Sequence, residues 1–445
     1  MTTATIIGPT RLNGSLSVQG SKNAAQKMIP ATLVFPGIYV IRNLPSIQDT
    51  CSQLDVVSFL GGKVTREGTI ATIDTRTITS KDIPPEITAR STGTFLFAGA
   101  LLSRFGFAKV HHPGGCEIGR RPVTWHLDAF RALGATVTTS HDHYEAQSAR
   151  LNGCEIVFQR PTVNGTVNAI LAAARCEGTT ILRNTPTEPD IENTVDLLNK
   201  AGASISISSG TVEILGRIPS RDAAVDLAVI PDRNDAATFA IAAAMLGGSI
   251  QLSPINPDHL DPLLVALSKA GARWSVVGSE RGQVLTVSRI TQPVSLSLES
   301  GPFPAFSTDW GPMFQVLMTQ LGAASTFHET VFSDRFKHIP DLVSMGAKIE
   351  YFQPTTSSKY QYNFDSPSEP GRGHAIRVFG SSELFGRSVY ANDIRAGAAL
   401  VLAAMAAKGT TQVANYDQIF RGYEDFAQRL NKLGAQISVH DDQKI

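Results

Sequence analysis

The feature that most constrains the fold of this 445-residue chain is a short motif that occurs six times. Each copy contains a Gly-Gly or Gly-Ala pair and leads into β-prone sequence. The copies are LGGKV at 60–64, LGATV at 133–137, AGASI at 201–205, AGARW at 270–274, MGAKI at 345–349 and LGAQI at 433–437. Their first glycines are 73, 68, 69, 75 and 88 residues apart. A near-constant interval is typical of repeat architectures, so we predict one structural unit used six times.

The residues between the motifs follow one pattern. An Ala-rich helix comes first, as in TVNAILAAARCEG, and we expect a glycine to end it in a left-handed turn. A short β-branched strand follows, and then an amphipathic helix such as DIENTVDLLNKAG, whose C-terminal glycine leads into the last strand. The Ala-rich helices lack a polar face, which predicts that they are buried. The pattern predicts an α/β fold of six βαβαββ-like repeats.

The length of the chain predicts two domains, because one hydrophobic core rarely serves so many residues. Three repeats in each domain, closed by pseudo-threefold packing, is the simplest arrangement. The longest interval between motifs contains residues 353–373, which are polar and rich in Ser, Pro and Gly. We interpret this segment as an exposed loop insertion.

Composition excludes several classes of protein. The chain has 39 basic and 39 acidic residues, so it lacks the positive excess typical of proteins that bind nucleic acid or membrane surfaces. We recognise no secretory signal and no apolar segment long enough to span a bilayer. The four cysteines show neither metal-type spacing nor a disulfide framework. We therefore expect a soluble cytoplasmic protein without nucleic-acid or membrane partners, and its oligomeric state stays open.

The segment HHPGGCEIGRRPVTWH, residues 111–126, carries the most reactive pattern. Its glycines predict a mobile loop, and Cys116 lies within that loop close to Arg120 and Arg121. Nearby guanidinium groups stabilise a thiolate and make it more reactive. Taken alone, a small residue in a turn explains Cys116 equally well. The other cysteines, Cys51, Cys154 and Cys176, are interpreted as buried packing residues.

Two adjacent histidines, His111 and His112, open the same segment and could indicate a metal site. No further ligands stand at a metal-type spacing in the sequence, so we predict none. Lys22, in the stretch Gly-Ser-Lys-Asn between a strand and a helix, is placed near a helix N-terminus, where an anion is favoured. By itself, a solvated capping segment explains this stretch better.

Further charged residues are spread along the second half of the chain. Residues 231–235, PDRND, open an Ala-rich helix near the midpoint, where a crossing between domains would fall. Asp309 lies in PAFSTDW, and single arginines lie in SDRF, DIRA and RGYE. Each is weak support alone, because surface arginines are usually solvated. Together with the residues above, they predict a cationic pocket suited to a substrate that carries both phosphate and carboxylate. The cations of this set are Lys22, Arg121, Arg335, Arg395 and Arg421.

These motifs resemble those of the UDP-N-acetylglucosamine enolpyruvyl transferases (1-carboxyvinyltransferases), which open peptidoglycan precursor synthesis. The matching stretches, between Gly14 and about Val439, are GSKNAA, PGGCEIGRRP, PDR, PAFSTDW, ETVFSDRF, DIRA and RGYE. The resemblance implies two inverse α/β barrels joined by a double crossover. One barrel would comprise residues 22–230 and the other residues 1–21 with 231–445, and the active site would lie in the cleft between them.

The resemblance also assigns roles in an addition–elimination reaction that needs no metal or organic cofactor. It implies that Cys116, the target of the epoxide fosfomycin in this family, is the general acid and that Asp309 lies near the acceptor hydroxyl. Lys22, also taken as catalytic, Arg121 and Arg421 would bind phosphoenolpyruvate, Arg335 and Arg395 would face its carboxylate, and Asn23 would contact both substrates. The implied sugar-nucleotide residues are Asn23, Arg90, Arg121, Pro122, Val123, Thr124, Trp125, His126, Arg160, Thr162, Val163, Asp309 and Val331.

Three departures from the family pattern stand out. Gln26 and Lys27 replace the common Leu-Pro after Lys-Asn-Ala-Ala. Arg90 matches a diphosphate-binding arginine only if two inserted residues are allowed. Thr124 and Trp125 replace the Asp and Leu that normally meet the nucleobase. The last departure indicates either a changed contact to uracil or a different acceptor.

These features leave four candidate functions. The leading one uses UDP-N-acetylglucosamine as acceptor. The second is the same chemistry on another nucleotide, such as UMP in nucleoside-antibiotic biosynthesis. The third, a non-catalytic nucleotide-binding paralogue, is disfavoured because Lys22, Cys116, Asp309 and Arg421 are all present. RNA binding is disfavoured by the zero net charge and the few aromatic residues.

Overall fold

The computed structural model describes residues 2–112, 114, 123–280, 282–354 and 374–441. The strands are β1 (Thr2–Gly8), β2 (Leu12–Ser17), β3 (Gly37–Arg42), β4 (Lys63–Glu67), β5 (Ile70–Asp74), β6 (Asp82–Ile83), β7 (Phe107–His111), β8 (Thr136–Thr139), β9 (His143–Gln147), β10 (Glu155–Val157), β11 (Thr179–Arg183), β12 (Ser204–Ser208), β13 (Thr211–Leu215), β14 (Ala223–Ala228), β15 (Gly247–Ile255), β16 (Arg273–Ser279), β17 (Gly282–Ser288), β18 (Ser297–Glu299), β19 (Ala324–His328), β20 (Lys348–Phe352), β21 (Ala375–Phe379), β22 (Ser388–Tyr390), β23 (Gly409–Ala414) and β24 (Ile437–Asp441).

The helices connect these strands. They are α1 (Lys22–Ala31), α2 (Gln48–Phe59), α3 (Pro85–Thr88), α4 (Phe97–Phe105), α5 (Thr124–Ala132), α6 (Val163–Ala173), α7 (Pro189–Lys200), α8 (Arg233–Leu246), α9 (Asp261–Ala270), α10 (Gly311–Thr319), α11 (Ile339–Ser344), α12 (Ile394–Ala406), α13 (Asp417–Phe420) and α14 (Phe426–Lys432). Short 3-10 helices span Thr92–Leu96, Pro257–His259 and Thr308–Trp310. No helix in the described ranges combines the length and apolar character needed to cross a bilayer.

The strands of the described residues form six four-stranded sheets with one shared pattern of pairing. In each sheet, the first strand pairs with the second in parallel, and the third and fourth continue the sheet antiparallel. The orders are β14-β3-β5-β4, β6-β7-β9-β8, β10-β11-β13-β12, β2-β15-β17-β16, β18-β19-β21-β20 and β22-β23-β1-β24. The chain is therefore a mixed α/β protein in which one sheet plan occurs six times.

The repeat motif marks the same turn in every copy. All six first glycines have positive φ angles, between 95° at Gly134 and 112° at Gly346. Each follows the second helix of its repeat, here called the outer helix, which is α2, α5, α7, α9, α11 or α14. Only glycine adopts this left-handed conformation at little cost, which explains why the motif recurs. The strand after each glycine is the fourth of its sheet, and in five repeats the next strand along the chain is the third, paired antiparallel to it. In the last repeat the third strand is β1, from the N-terminus.

The Ala-rich helices are buried as their composition predicts. In α8, all residues from Asn234 to Leu246 are buried. The prediction that a glycine ends these helices in a left-handed turn holds in part. Helix α4 ends at Gly106, whose φ is 67°. Gly178 and Gly409, the glycines predicted to end α6 and α12, also have positive φ angles, but they lie beyond the helix caps Ala174 and Ala407. Helix α8 runs into β15 through Gly247, whose backbone is extended, and a Cβ there would lie 2.6 Å from the Ala243 carbonyl oxygen. Close approach of the backbone, rather than a positive φ, requires this glycine.

The described chain forms two compact units. The first contains residues 20–112, 114 and 123–230, and the second contains residues 2–19 and 231–441. Each unit has three of the six sheets and three buried helices, which are α1, α4 and α6 in the first and α8, α10 and α12 in the second. In the first unit, β14 returns to pair with β3, so the last strand of the unit completes its first sheet. Of the predicted loop insertion, residues 355–373 lie outside the described residues.

Candidate active site

A carboxylate held by two buried arginines lies in the second unit. Asp309 lies in the short helix Thr308–Trp310, and its side chain is 22% exposed. Arg335 pairs with one carboxylate oxygen, and Arg395 pairs with the other at 3.2 Å. The two arginine side chains are only 2% and 5% exposed. Structure thus brings together three residues that the sequence places 26 and 86 positions apart.

Asp309 is oriented by the turn that carries it. The Ser307 hydroxyl accepts a hydrogen bond from the Asp309 backbone N–H at 3.3 Å, and the Arg335 Nε donates to the Thr308 carbonyl at 3.3 Å. Asn234, at the start of α8, donates to Asp309 at 3.3 Å and accepts from the Trp310 indole at 2.9 Å. These contacts hold the carboxylate at a defined position while leaving part of it open to solvent.

Glu329 stabilises the same turn through a hydrogen bond from Thr308. It is 1% exposed, and its carboxylate accepts hydrogen bonds from the backbone N–H groups of Val331 and Phe332 and from the Thr308 hydroxyl. Burial raises the pKa of Glu329, while Arg335 and the hydrogen bonds oppose that rise. The contacts join the Asp309 turn to the turn that presents Val331, a predicted nucleotide-binding residue.

Arg395 is held by the start of α12. Asp393 caps this helix by accepting from the Arg395 and Ala396 backbone N–H groups at 2.8 and 3.0 Å. Its carboxylate also lies 3.9 Å from the Arg335 guanidinium. Burial by itself would lower the pKa of Arg395, but neighbouring acidic groups, Asp309 among them, hold it above its ordinary value. Arg395 therefore stays charged although it is buried.

The charged stretch 231–235 has a structural role in the second unit. Asp232 caps α8 by accepting from the backbone N–H groups of Asn234 and Asp235. Asp235 is fully buried and pairs with Arg429 at 2.7 Å. Helix capping and one buried ion pair explain Asp232 and Asp235, while the Arg233 guanidinium lies over the Phe303 ring, 5.0 Å from its centroid.

Arg421 lies at the C-terminal end of α13. It is not one of the two arginines that pair with Asp309. Its guanidinium donates to the Gln418 side chain at 3.1 Å. Gln418 and Arg421 are both half-buried. Arg421 is therefore positioned from its own helix, and its expected contact with phosphate stays a prediction.

Lys22 is the first residue of α1, as its sequence context predicts, and Ser21 caps the helix. The Lys22 Nζ lies 3.1 Å from an Asp49 carboxylate oxygen, and the side chains are 13% and 3% exposed. Asn23 follows on the same turn and is half-buried. The lysine is therefore a nearly buried cation at a helix N-terminus, where an anion is favoured, and the neighbouring Asp49 carboxylate offsets part of its charge.

The departures Gln26 and Lys27 extend the polar network around Lys22. Gln26 accepts from the Lys22 Nζ at 3.3 Å and donates to Asp49 at 3.1 Å and to the Ser91 hydroxyl at 3.0 Å. Lys27 is 4% exposed, and its Nζ lies 3.8 Å from Asp190 in α7. Polar side chains buried in this way are stable only with such partners.

The inserted residues after Arg90 form the helix Thr92–Leu96 and a tight contact with α2. A Cβ on Gly93 would lie 2.5 Å from the Gln53 amide nitrogen. Arg90 itself is exposed and pairs with Asp55 at 3.3 Å. The arginine expected to bind diphosphate therefore has a carboxylate partner on α2.

The residues expected to contact the nucleobase lie at the starts of two packed helices. Thr124 and Trp125 begin α5, where Thr124 is exposed and Trp125 is half-buried against the core. Thr162 caps α6 by accepting from the Gly165 backbone N–H at 3.3 Å, and Val163 is the first residue of that helix. Arg160 and Val123 lie just before these helices and are half-buried. These residues of the predicted set therefore lie in, or just before, the first turns of α5 and α6 in the first unit.

His126 is committed to the core. It is 7% exposed, it packs edge-on against Phe95, and its Nδ1 lies 2.9 Å from the Asn168 amide nitrogen. The Asn168 side-chain oxygen accepts from the Gly99 backbone N–H, so its amide nitrogen donates and His126 Nδ1 accepts. Burial lowers the pKa of His126 to about 4, so the ring is neutral at pH 7. Its predicted contact with the nucleotide stays a prediction.

Several predicted residues lie outside the described part of the chain, namely Cys116, Arg121 and Pro122. Among the described cysteines, Cys176 is buried and Cys154 is half-buried, but Cys51 is exposed. The interpretation of Cys51 as a buried packing residue is therefore wrong, because its position on α2 faces outward.

Sequence reasoning did not find Asp49, Glu329 or Asp393. Asp393 carried a usable signal, since an Asp directly before an apolar helical run is typical of an N-cap. Asp49 carried none, because its partner Gln26 lies 23 positions earlier. The bond from Glu329 to Thr308, 21 positions earlier, was equally invisible in the sequence.

Comparison with known proteins identifies the family. The sequence matches the family described as EPSP synthase (3-phosphoshikimate 1-carboxyvinyltransferase) over residues 6–442. It is 35% identical over 431 residues to the UDP-N-acetylglucosamine 1-carboxyvinyltransferase of Desulfosudis oleivorans, covering 97% of both chains. The fold is similar to that of the enolpyruvyl transferase NikO from Streptomyces tendae, with a TM-score of 0.85, 24% identity and 98% of each chain covered. It is also similar to EPSP synthase from Acinetobacter baumannii, with a TM-score of 0.75, 15% identity, and 99% and 100% of the chains covered.

Proposed function

The chain belongs to the EPSP synthase family and is an enolpyruvyl (1-carboxyvinyl) transferase, and from this premise we propose its donor and its acceptor. The donor is phosphoenolpyruvate, and the acceptor is the 3-hydroxyl of UDP-N-acetylglucosamine. The reaction releases inorganic phosphate and supplies a peptidoglycan precursor in the cytoplasm. The acceptor rests on the relatives named for it, one of which is 35% identical over nearly the full length.

The observation that carries this proposal is the partly exposed Asp309 carboxylate on two buried arginines. Guanidinium groups bind carboxylates in a two-pronged geometry. When phosphoenolpyruvate binds, its carboxylate replaces Asp309 as a partner of Arg335 and Arg395. Asp309 is then available to accept a proton from the acceptor hydroxyl. An aspartate that is already fixed in position and partly open suits this base role.

The reaction proceeds by addition and then elimination. The acceptor oxygen forms a bond to C2 of phosphoenolpyruvate as its proton passes to Asp309, and the double-bond electrons take a proton at C3 from Cys116. In the second step the bond from C2 to the phosphate oxygen breaks, and phosphate leaves with the electron pair. The Cys116 thiolate takes a proton from C3, which restores both the double bond and the thiol. Lys22, Arg121 and Arg421 neutralise the phosphate as charge develops.

A second acceptor is supported by one specific feature. The base contact in this chain consists of an exposed Thr124 hydroxyl and the half-buried Trp125 ring. A ring offers stacking to any nucleobase, while a carboxylate would select a base with matching donors. Another nucleotide, such as UMP, is therefore the alternative acceptor. The same enolpyruvyl chemistry would apply to it.

We also propose that each unit is an inverse α/β barrel. Support comes from the three sheets and three buried helices in each unit, and from the return of β14 to β3.

The test is release of phosphate from phosphoenolpyruvate with each acceptor in separate assays. We expect release with UDP-N-acetylglucosamine, and we expect Asp309→Asn to lower kcat by about 10²- to 10⁴-fold because the base is lost. Asp226→Asn is the matched control, since Asp226 also pairs with an arginine but both side chains are about half exposed. Release with UMP but not with UDP-N-acetylglucosamine would establish the alternative acceptor. Unchanged kcat in Asp309→Asn would exclude the base role.

A further inference from the structure

In the first unit, two histidines face each other across the paired strands β7 and β9. His111 is the last residue of β7, and it lies directly opposite His143, the first residue of β9. Their ring centroids are 5.4 Å apart. The side chains are 13% and 18% exposed, so the strands and their surroundings limit the rotation of both rings. Two imidazoles fixed in this way can each supply one nitrogen ligand to a metal ion.

Asp142 adds a carboxylate to this pair. One of its oxygens lies 2.7 Å from His143 Nδ1, and the other lies 3.8 Å from His111 Nδ1. One potential ligand atom from each of the three residues lies within 4.8 Å of the other two. Ligands bound at about 2 Å in a tetrahedron lie about 3.3 Å apart, so small side-chain rotations would close the site.

The outer nitrogens of both rings face further carboxylates. His111 Nε2 lies 3.9 Å from Asp82, and His143 Nε2 lies 3.3 Å from Glu145. A metal-binding histidine usually donates its second ring N–H to a carboxylate, which fixes the tautomer and makes the binding nitrogen more basic. Here both Nδ1 atoms face Asp142 and both Nε2 atoms face an outer carboxylate.

We propose that His111, Asp142 and His143 bind a divalent transition-metal ion of the zinc type, separate from the transferase site. Two imidazoles and one carboxylate suit Zn²⁺ and Co²⁺, whereas Mg²⁺ and Ca²⁺ prefer all-oxygen sites. Water would complete the coordination. The metal joins β7 to the turn and strand of β9, so its role is structural.

The experiment uses the full chain after treatment with a chelator, titrated with Zn²⁺ in a calorimeter. We expect one equivalent to bind and the Tm to rise. His111→Ala and His143→Ala should weaken binding by at least about tenfold. His141→Ala is the matched control, because His141 is exposed in the same turn and lies outside the three-residue group. It should bind Zn²⁺ like the unchanged protein.

Two further measurements distinguish loss of the site from poor folding of a variant and from metal bound at another place in the chain. Asp142→Asn keeps the size of the side chain but loses the charged ligand, so it should also weaken Zn²⁺ binding. Co²⁺ bound at the proposed site should show no thiolate charge-transfer band, because no sulfur is among the ligands. Absence of a stoichiometric Zn²⁺ site, undiminished binding in Asp142→Asn, or a Co²⁺–thiolate band would overturn the proposal.

Discussion

At the scale of single residues, Gln26 and Lys27 show how far local sequence reasoning reaches. Both could be recognised as departures from the family pattern. Their meaning came only from their partners, since Gln26 bonds to Asp49 and Ser91, and Lys27 lies near Asp190. A buried polar residue is stable only when distant groups complete its hydrogen bonds. The identity of such residues is visible in the sequence, but the network is not.

His126 gives a prediction about pH at this scale. Its pKa is about 4 in the folded chain and 6.5 ordinarily, so the unfolded chain binds a proton more readily between these values. The free energy of unfolding therefore falls as the pH drops from 6.5 toward 4. Between pH 7 and pH 5, His126 should account for about 2 kcal/mol of the loss.

Urea unfolding of His126→Gln at pH 7 and pH 5 measures this contribution. Glutamine can still accept from Asn168 but does not titrate, so the loss of stability between the two pH values should shrink by about 2 kcal/mol. His440→Gln, at an exposed position on β24, should leave the loss unchanged. Equal losses in the unchanged protein and in His126→Gln would contradict a neutral, buried ring.

At the scale of elements, the repeat glycines explain why the sequence predicts the fold so well. Each stands where an outer helix must turn into a strand, and the left-handed backbone there is a local property. The ends of the buried helices were harder to predict. Gly247 is required by the carbonyl of Ala243, which is a contact rather than a local conformation. Sequence patterns report local conformation more directly than they report contact.

Gly134→Ala isolates the backbone effect. Gly134 has a φ of 95°, and a Cβ there would have its nearest neighbour at 3.8 Å, so strain rather than a clash opposes alanine. We expect the free energy of unfolding to fall by about 1–2 kcal/mol in a urea titration. Gly278→Ala, on β16 with nothing within 4 Å and no positive φ, should be neutral or slightly stabilising. Equal effects of the two substitutions would argue against a conformational role for the repeat glycine.

At the scale of the whole molecule, the chain starts in the sheet of its last repeat. β1 lies between β23 and β24, with Ile6 paired to Thr411 and Ile437. The strand of the sixth motif, β24, therefore pairs with residues more than 400 positions earlier in the chain. The second unit is complete only when both ends of the sequence are present.

Neighbouring isoleucines on β1 test this closure. Ile6 is fully buried and Ile7 is 50% exposed, as expected for successive residues of a strand. Ile6→Ala should lower the free energy of unfolding of the second unit by about 2–5 kcal/mol because it leaves a cavity. Ile7→Ala should change it by less than about 0.5 kcal/mol. Differential scanning calorimetry would detect the difference, and similar Tm values for the two variants would show that β1 is not needed to complete the core.

The sequence by itself determined the six repeats, the burial of the Ala-rich helices and the family. These features depend on the period of apolar residues and on backbone conformation, which are set by residues close to one another in the sequence. Tertiary structure decided which charges meet. Asp309 meets Arg335 of its own repeat and Arg395 of the next repeat, and His111 meets His143 across a strand pair. Such contacts depend on how distant elements pack, so no spacing along the sequence reveals them.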